Sequence, residues 1–306
     1  MLPSGRQVEL VAGDQRAVVV EVGGGLRTYT VGGRDVLDGY AADAMCSGGR
    51  GQVLIPWPNR LDDGAYEFGG RANRLPLSEA EKHNAIHGLV RWSSWDVAAA
   101  GPGRAVAEHL LHPQPGYPYS LALRIEYSLS EEGLRVETTA TNAGPEPCPY
   151  GAGQHPYLTV GAAIDGVELR VPARTVIRSD ERSLPLAALP VEGSELDFRV
   201  PRPVGATVLD HAFTDLEHDG DGLARIVFGN LTLWVDAAYG YVMVFSGDGI
   251  PDLARRSLAV EPMTCPANAF RSGEGLIRLE AGESFTSAWG ITPAGNPHVA
   301  SAAPPM

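Results

Sequence analysis

Residues 120–142 read SLALRIEYSLSEEGLRVETTATN. Leu121, Leu123, Ile125 and Tyr127 fall on alternate positions with polar groups mostly between them, the period-two pattern of a strand with one buried face. A second alternating run begins at Leu134 and Val136 beyond the short connection Ser130-Glu131-Glu132-Gly133, so the two are predicted to form a hairpin. The pattern recurs on both sides. Arg225–Phe228 and Leu231–Val235 flank Gly229-Asn230, whose residues tolerate the positive φ of a two-residue turn. Tyr241–Phe245 (YVMVF) is apolar throughout, as expected of a strand buried on both faces. Further strands are expected at Ala17–Val22, Leu26–Val31, Gln52–Ile55, Ala65–Phe68, Trp95–Ala99, Ser257–Val260 and Ser284–Ile291.

No segment sustains an apolar 3.6-residue period for three turns, and 37 Gly with 24 Pro punctuate the chain. These features predict an all-β protein, a large antiparallel β-sandwich of two packed sheets. A chain of 306 residues suits one such sandwich or two ordinary domains. With no linker and no exact internal repeat, a single domain over residues 1–292 is expected. Residues 293–306, rich in Pro and Ala, have little to bury and are expected to form a loose tail.

The formal net charge of −13 would repel a phosphate backbone, and no Lys/Arg run offsets it, so neither nucleic acid nor a membrane surface is an expected partner. Cys46, Cys148 and Cys265 show neither a disulfide framework nor zinc-ligand spacing, and inert packing in a reducing compartment is expected of them. The first residues lack a signal-peptide pattern and no stretch is long and apolar enough to span a bilayer. The expected location is cytoplasmic, as a monomer or homodimer.

Five stretches carry chemistry-bearing residues. In Cys148–Gly161, CPYGAGQHPYLTVG, glycines precede His155 and a proline follows it, which places the imidazole on a stiff extended segment entered through a pliable loop. Read alone, it is also compatible with a core histidine bonded near a turn. Gly51–Gly64, GQVLIPWPNRLDDG, brackets Trp57 with prolines, so Asn59 and Arg60 lie on a rigid loop leaving a strand at Ile55. Arg60 could equally pair with Asp62 or Asp63. Asn84–Trp92 contains His87 before Gly88, and Val208–Leu216 sets Asp210 beside His211. In Leu258–Phe270, LAVEPMTCPANAF, Glu261 ends an apolar strand, where a charge must be solvated or partnered.

Taken together, PWPNRLDDGAYEFGG (56–70), NAIHG (84–88), TNAGPEPCPYGAGQHPYL (141–158), LDHAF (209–213), EPMTCPANAF (261–270) and the later LEAGES (279–284) resemble the aldose 1-epimerase, or galactose mutarotase, family. They occur in the family's order and span nearly the whole chain. The resemblance implies a β-sandwich with a sugar site on the concave face of the larger sheet. It also implies that Glu261 takes the proton of the anomeric hydroxyl and His155 protonates the ring oxygen, while His87, Arg60 and Asp210 hold the sugar's hydroxyls. Two departures bear on the sugar. Gln154 stands where many relatives carry an aromatic residue, and Ala267-Asn268-Ala269-Phe270 departs from the Asp-Ala-x-Asn of galactose-active members.

Interconverting anomers requires the O1 proton to leave as the C1–O5 bond breaks and O5 gains a proton, which needs a base and an acid within hydrogen-bond reach. Glu261 and His155 suit this without metal or cofactor, held apart across the width of a pyranose and each favouring the other's charged form. Asn59 joins the polar groups expected around a neutral sugar, and Trp57 or Tyr157 offers a flat face to its C–H bonds. The rivals are a sugar-binding or sensing protein without turnover, an epimerase of phosphorylated hexoses with Arg91 and Arg271 at the rim, a metal site, and a glycosidase, which would need a carboxylate pair.

Overall fold

The computed structural model describes residues 1–293, and the tail expected at 293–306 lies outside these apart from Pro293. The hairpin forms as read: Leu121–Ser130 pairs antiparallel with Gly133–Asn142, closing Ser130 on Gly133. Leu121, Leu123, Ile125, Tyr127 and Leu129 are all buried, whereas Ala122 and Arg124 are exposed. The hairpin sits within a nine-stranded sheet. Its second strand pairs with Ser284–Pro293, which in turn pairs with Leu231–Val235 and so joins the Ala224–Phe228 hairpin to the same sheet. The sequence pattern ended the Ser284 strand at Ile291, but its pairing continues to Pro293 opposite Leu231.

A second, eight-stranded sheet runs from Pro185–Pro190 through Ala173–Ser179, Asp210–Leu216, Tyr241–Phe245 and Leu258–Met263 to Gly153–Gln154 and Val53–Leu54, with Tyr157–Leu158 also paired to Leu258–Met263. A smaller four-stranded sheet covers residues 7–35. Among the described residues the only α-helix is the single turn Ala269–Ser272, and no helix there is long and apolar enough to cross a membrane. One cluster of buried apolar side chains extends from Leu10 to Ile291.

Gln154 ties the two sheets together. Its Nε2 donates to Tyr127 Oη at 3.1 Å and its Oε1 accepts from Trp289 Nε1 at 2.8 Å. Since successive strand residues point to opposite faces, Gln154 turns into the core and His155 turns out. The departure from the family pattern at residue 154 therefore acts on packing between the sheets and not on the pocket. Replacing Gln154 by Leu would leave the buried Trp289 N–H unpartnered and is expected to cost about 1–3 kcal/mol, read as a lower urea midpoint.

The strand Tyr241–Phe245 differs from expectation. Val242 and Val244 face the core, but the other face of the strand is not closed by a second layer. Met243 and Phe245 line a cavity instead.

Candidate active site

That cavity, of about 350 Å³, lies on the eight-stranded sheet, not on the sheet with more strands, and falls in the range of small-molecule sites (about 300–1,000 Å³). Backbone pairing sets its floor. Met243 is opposite Glu261 and Phe245 is opposite Asp210, so neighbouring strands present the two carboxylates on one face. His155 is fixed by its own main chain, whose N–H donates to Gln52 O at 3.1 Å while its carbonyl accepts from Gly51 at 2.8 Å.

Glu261 and His155 are both buried and stand in direct contact, His155 Nε2 to Glu261 Oε1 at 3.3 Å. They do not face each other across a pyranose. A sugar must lie over the pair, which suits two oxygens carried by one carbon. Glu261 Oε2 and His155 Nδ1 have no hydrogen-bond partner. The charges also differ from the sequence expectation. Burial first, then the field of Asp210, pushes the Glu261 carboxyl well above the usual carboxylate range, against a smaller opposing pull from Arg60. Burial likewise lowers His155 to about 3, with Arg91 and Arg60 acting the same way. Desolvation of both groups works against their mutual attraction and favours the neutral acid and the neutral imidazole over the ion pair.

The surrounding groups are locked. The His155 ring stacks on Tyr157 (centroids 4.9 Å apart, 15° between planes) and meets the His87 ring edge-on at 5.5 Å. Tyr157 Oη donates to Gly48 O at 2.8 Å, tying the loop around residues 46–50 to the floor. His87, at φ 63°, accepts from the Asn59 N–H at Nδ1 (3.2 Å). With its ring kept neutral chiefly by burial, the remaining proton sits on Nε2 as a donor. Gly88 follows because a Cβ there would fall 2.0 Å from the Ile55 carbonyl oxygen. Arg60 grips Glu79 through Nε and Nη2, both at 2.9 Å. Gly49, at φ +80°, leaves room for the His155 ring, since an added Cβ would fall 2.8 Å from His155 Cδ2. Gly49→Ala is expected to displace the imidazole and to lower kcat/KM about 10- to 100-fold, checked by kinetics alongside a thermal melt.

A family model described as aldose 1-epimerase matches residues 6–292. The chain belongs to the aldose 1-epimerase family. It is similar to the uncharacterized protein YihR of Escherichia coli K12, 36% identical over 282 residues covering 92% of this chain and 91% of that one. Among solved structures, a GalM/aldose epimerase homologue from C. elegans superposes with a TM-score of 0.83 at 16% identity, over 95% of this chain and 99% of the other. A galactose 1-epimerase from Lactobacillus acidophilus gives 0.79 at 20% identity, over 94% of each chain. At such identities these two establish the sandwich fold alone.

Of the residues that the family resemblance and the sequence singled out, the cavity brings together Glu261, His155, His87, Arg60, Asp210, Asn59 and Tyr157. Trp57 is absent from its lining. That side chain is buried against Phe270, 5.5 Å between ring centroids, where it completes the core below the loop and offers no face to a ligand. Arg60 pairs with Glu79 instead of Asp62 or Asp63, which are held by Arg182. Asp62 also binds Arg271 at 2.6 Å, and Arg271 is not a lining residue. Cys148 and Cys265 are buried and free, but Cys46 is only half-buried and forms part of the cavity wall, so inert core packing does not describe it. Asp215 accepts from Thr175 in a separate surface depression, leaving Asp210 as the aspartate of the site. Glu79, Gln52, Met243 and Phe245 were not foreseen. For Met243 and Phe245 the one signal is the period of two of a strand, which puts them on the face opposite Val242 and Val244. Among the described residues no cluster of His, Cys, Asp and Glu has the arrangement of a metal site.

Proposed function

We propose that the protein is an aldose 1-epimerase that interconverts the α and β anomers of free aldohexoses by general acid–base ring opening. The carrying observation is the side-by-side Glu261–His155 pair on the cavity floor, with one carboxylate oxygen left without a partner. O1 lies against Glu261 and O5 against His155. As the O1–H proton passes to the carboxylate, its electrons form the C1=O bond, the C1–O5 pair moves to O5, and O5 takes the imidazolium proton. Rotation about C1–C2 and closure in the reverse sense deliver the other anomer.

Opening begins with Glu261 ionised and His155 protonated, and ends with Glu261 protonated and His155 neutral. The second arrangement is the one burial favours, so a single proton crosses the 3.3 Å contact before ring opening. The O1 hydroxyl helps this transfer, because a hydrogen bond donated to Glu261 stabilises its ionised form. Arg60, the His87 Nε2–H, Asp210 and Asn59 orient the remaining hydroxyls, and Tyr157 supports the His155 ring.

Polarimetry of freshly dissolved α-D-glucose and α-D-galactose tests the reading. Faster approach to equilibrium rotation is expected. Sugar binding without acceleration of either sugar would identify a non-catalytic carbohydrate-binding protein instead.

A further inference from the structure

Among the described residues only two carboxylates are buried, Glu261 and Asp38, and Arg50 is the one buried arginine. Glu261 belongs to the cavity. Asp38 does not line it, and borders a separate surface depression with Thr159 and Arg256. Both of its carboxylate oxygens are engaged. Oδ1 accepts from Arg256 Nη2 at 2.6 Å, while Oδ2 accepts from Ser257 Oγ at 2.8 Å and faces Arg50 Nη2 at 3.8 Å. Replacing a buried ion pair by apolar side chains of the same volume often leaves a fold as stable or more so, so stability alone does not account for this one.

What Asp38 joins is three segments that meet at the cavity. Its own N–H donates to the Tyr157 carbonyl at 2.8 Å, and the Tyr157 ring is the one stacked on His155. Arg50 ends the loop that brings Cys46, Gly48 and Gly49 to the cavity wall. There Arg50 Nη1 donates to Ser47 Oγ at 2.7 Å, and the guanidinium carbon lies 5.9 Å from the Tyr157 ring centroid. Arg256 ends the turns that carry Ile250 to the same cavity. Those turns pack on the first loop: Leu253 is buried with Tyr157, and a Cβ on Gly48 would fall 2.4 Å from Leu253 Cδ1. One carboxylate outside the cavity thus fastens both wall loops and the residue that supports the His155 ring.

We propose that Asp38 is a positioning residue for the epimerase reaction, one that holds the loop at 46–50 and the Tyr157 ring against His155 and so sets where Nε2 meets the ring oxygen of the sugar. The inference rests on the epimerase reading for its effect on rate, but not for the clamp itself. Displacing a reacting group by about 1 Å can cost on the order of 10²-fold in rate. Arg60, Asp210, Asn59 and His87, which hold the hydroxyls, lie on segments that Asp38 does not bond. Loosening the clamp should therefore reach turnover and leave sugar binding nearly as it was.

The test is Asp38→Asn in the full chain, which keeps the volume of the side chain and an acceptor for Ser257 but drops the charge. Cys46 reports on the loop, since its thiol donates to the Arg50 carbonyl at 3.3 Å and is only half-buried, whereas Cys148 and Cys265 are buried. Weakening the charged contacts is expected to raise the rate at which DTNB labels Cys46 about 10- to 100-fold, with Cys148 and Cys265 still unreactive. Polarimetry should show kcat per folded chain lowered about 10- to 100-fold, with KM within about 3-fold of wild type. Val136→Ala, a truncation in the core of the nine-stranded sheet, controls for stability alone and should lower the melting temperature while changing neither reading. Arg256→Gln removes one arm of the clamp from a side chain already more than half exposed. It should shift both readings the same way by less, and it carries the test if Asp38→Asn does not fold. Unchanged Cys46 labelling, all three thiols opening together, or a loosened loop with wild-type kcat would overturn the proposal. Wild-type protein that turns over no sugar would sink the epimerase reading, and the Cys46 rates would still show whether Asp38 holds the loop. Wild-type turnover that Asp38→Asn leaves intact would sink the positioning role and leave the epimerase reading standing.

Discussion

Glu261→Gln is expected to slow anomer interconversion by about 10²–10⁴-fold, the usual contribution of a positioned general base, while sugar still binds. The amide keeps the shape of the side chain and an acceptor oxygen, so the orienting contacts persist and only the proton transfer is lost. The same substitution is expected to stabilise the protein above neutral pH. The folded-state pKa of Glu261 is raised by burial and by Asp210. Below the unfolded-state value, about 4.5, folded and unfolded chains are both protonated and no penalty arises. As pH rises past that point the unfolded chain ionises first, and stability falls until the folded carboxyl also ionises. A neutral amide has no such slope. At pH 8 the variant should therefore exceed the wild type by on the order of 1–2 kcal/mol, measured by urea unfolding at pH 5 and pH 8. Retained turnover, or a stability difference that does not grow with pH, would count against both the role and the electrostatics assigned to Glu261. A gain in stability joined to a loss of turnover is the signature of a group kept for chemistry at the expense of the fold.

The strands were legible wherever one face is buried and the other wet. Leu121–Ser130 could be read residue by residue because its alternation is the burial pattern itself. Pro185–Pro190 could not, since it is a sheet-edge strand in which every residue is exposed and no period is written into it. The site was legible in its residues but not in its partnerships. Arg60 had Asp62 and Asp63 close by in sequence, yet Glu79 captures it because the loop reaching Asn84–Ile86 folds back on the Arg60–Asp62 strand. Trp57 looked like a platform because prolines hold it rigid. Rigidity says nothing of direction, and the ring points into the core. The protonation of the Glu261–His155 pair was the least legible feature. From sequence, opposite charges attract and the ion pair follows, but the cost of removing both groups from water appears only once His155 and Glu261 are seen to be almost wholly buried.

That cost has a second measurable consequence, carried by His155. Its pKa is lowered from 6.5 to about 3, by burial first and then by Arg91 and Arg60. A lowered histidine contributes stability that is complete above the unfolded-state value of 6.5 and is lost as pH falls towards 3, because the unfolded chain takes up a proton that the folded chain refuses. Over that interval this one group should remove stability at about 1.4 kcal/mol per pH unit, and His155→Asn should abolish its share of the slope. Turnover should behave differently. The active form of the pair holds one proton, and adding a second requires protonating a buried imidazole beside a protonated acid. The value of kcat/KM should accordingly stay level as pH drops from 7.5 through 6.5, with no inflection at the ordinary imidazole value. His155→Asn should lower it by about 10²–10⁴-fold at every pH tested. An acid limb centred near 6.5 in the wild-type profile would mean that His155 titrates as though in water. The neutral pair favoured by burial, and the proton transfer across its contact before ring opening, would then both be wrong.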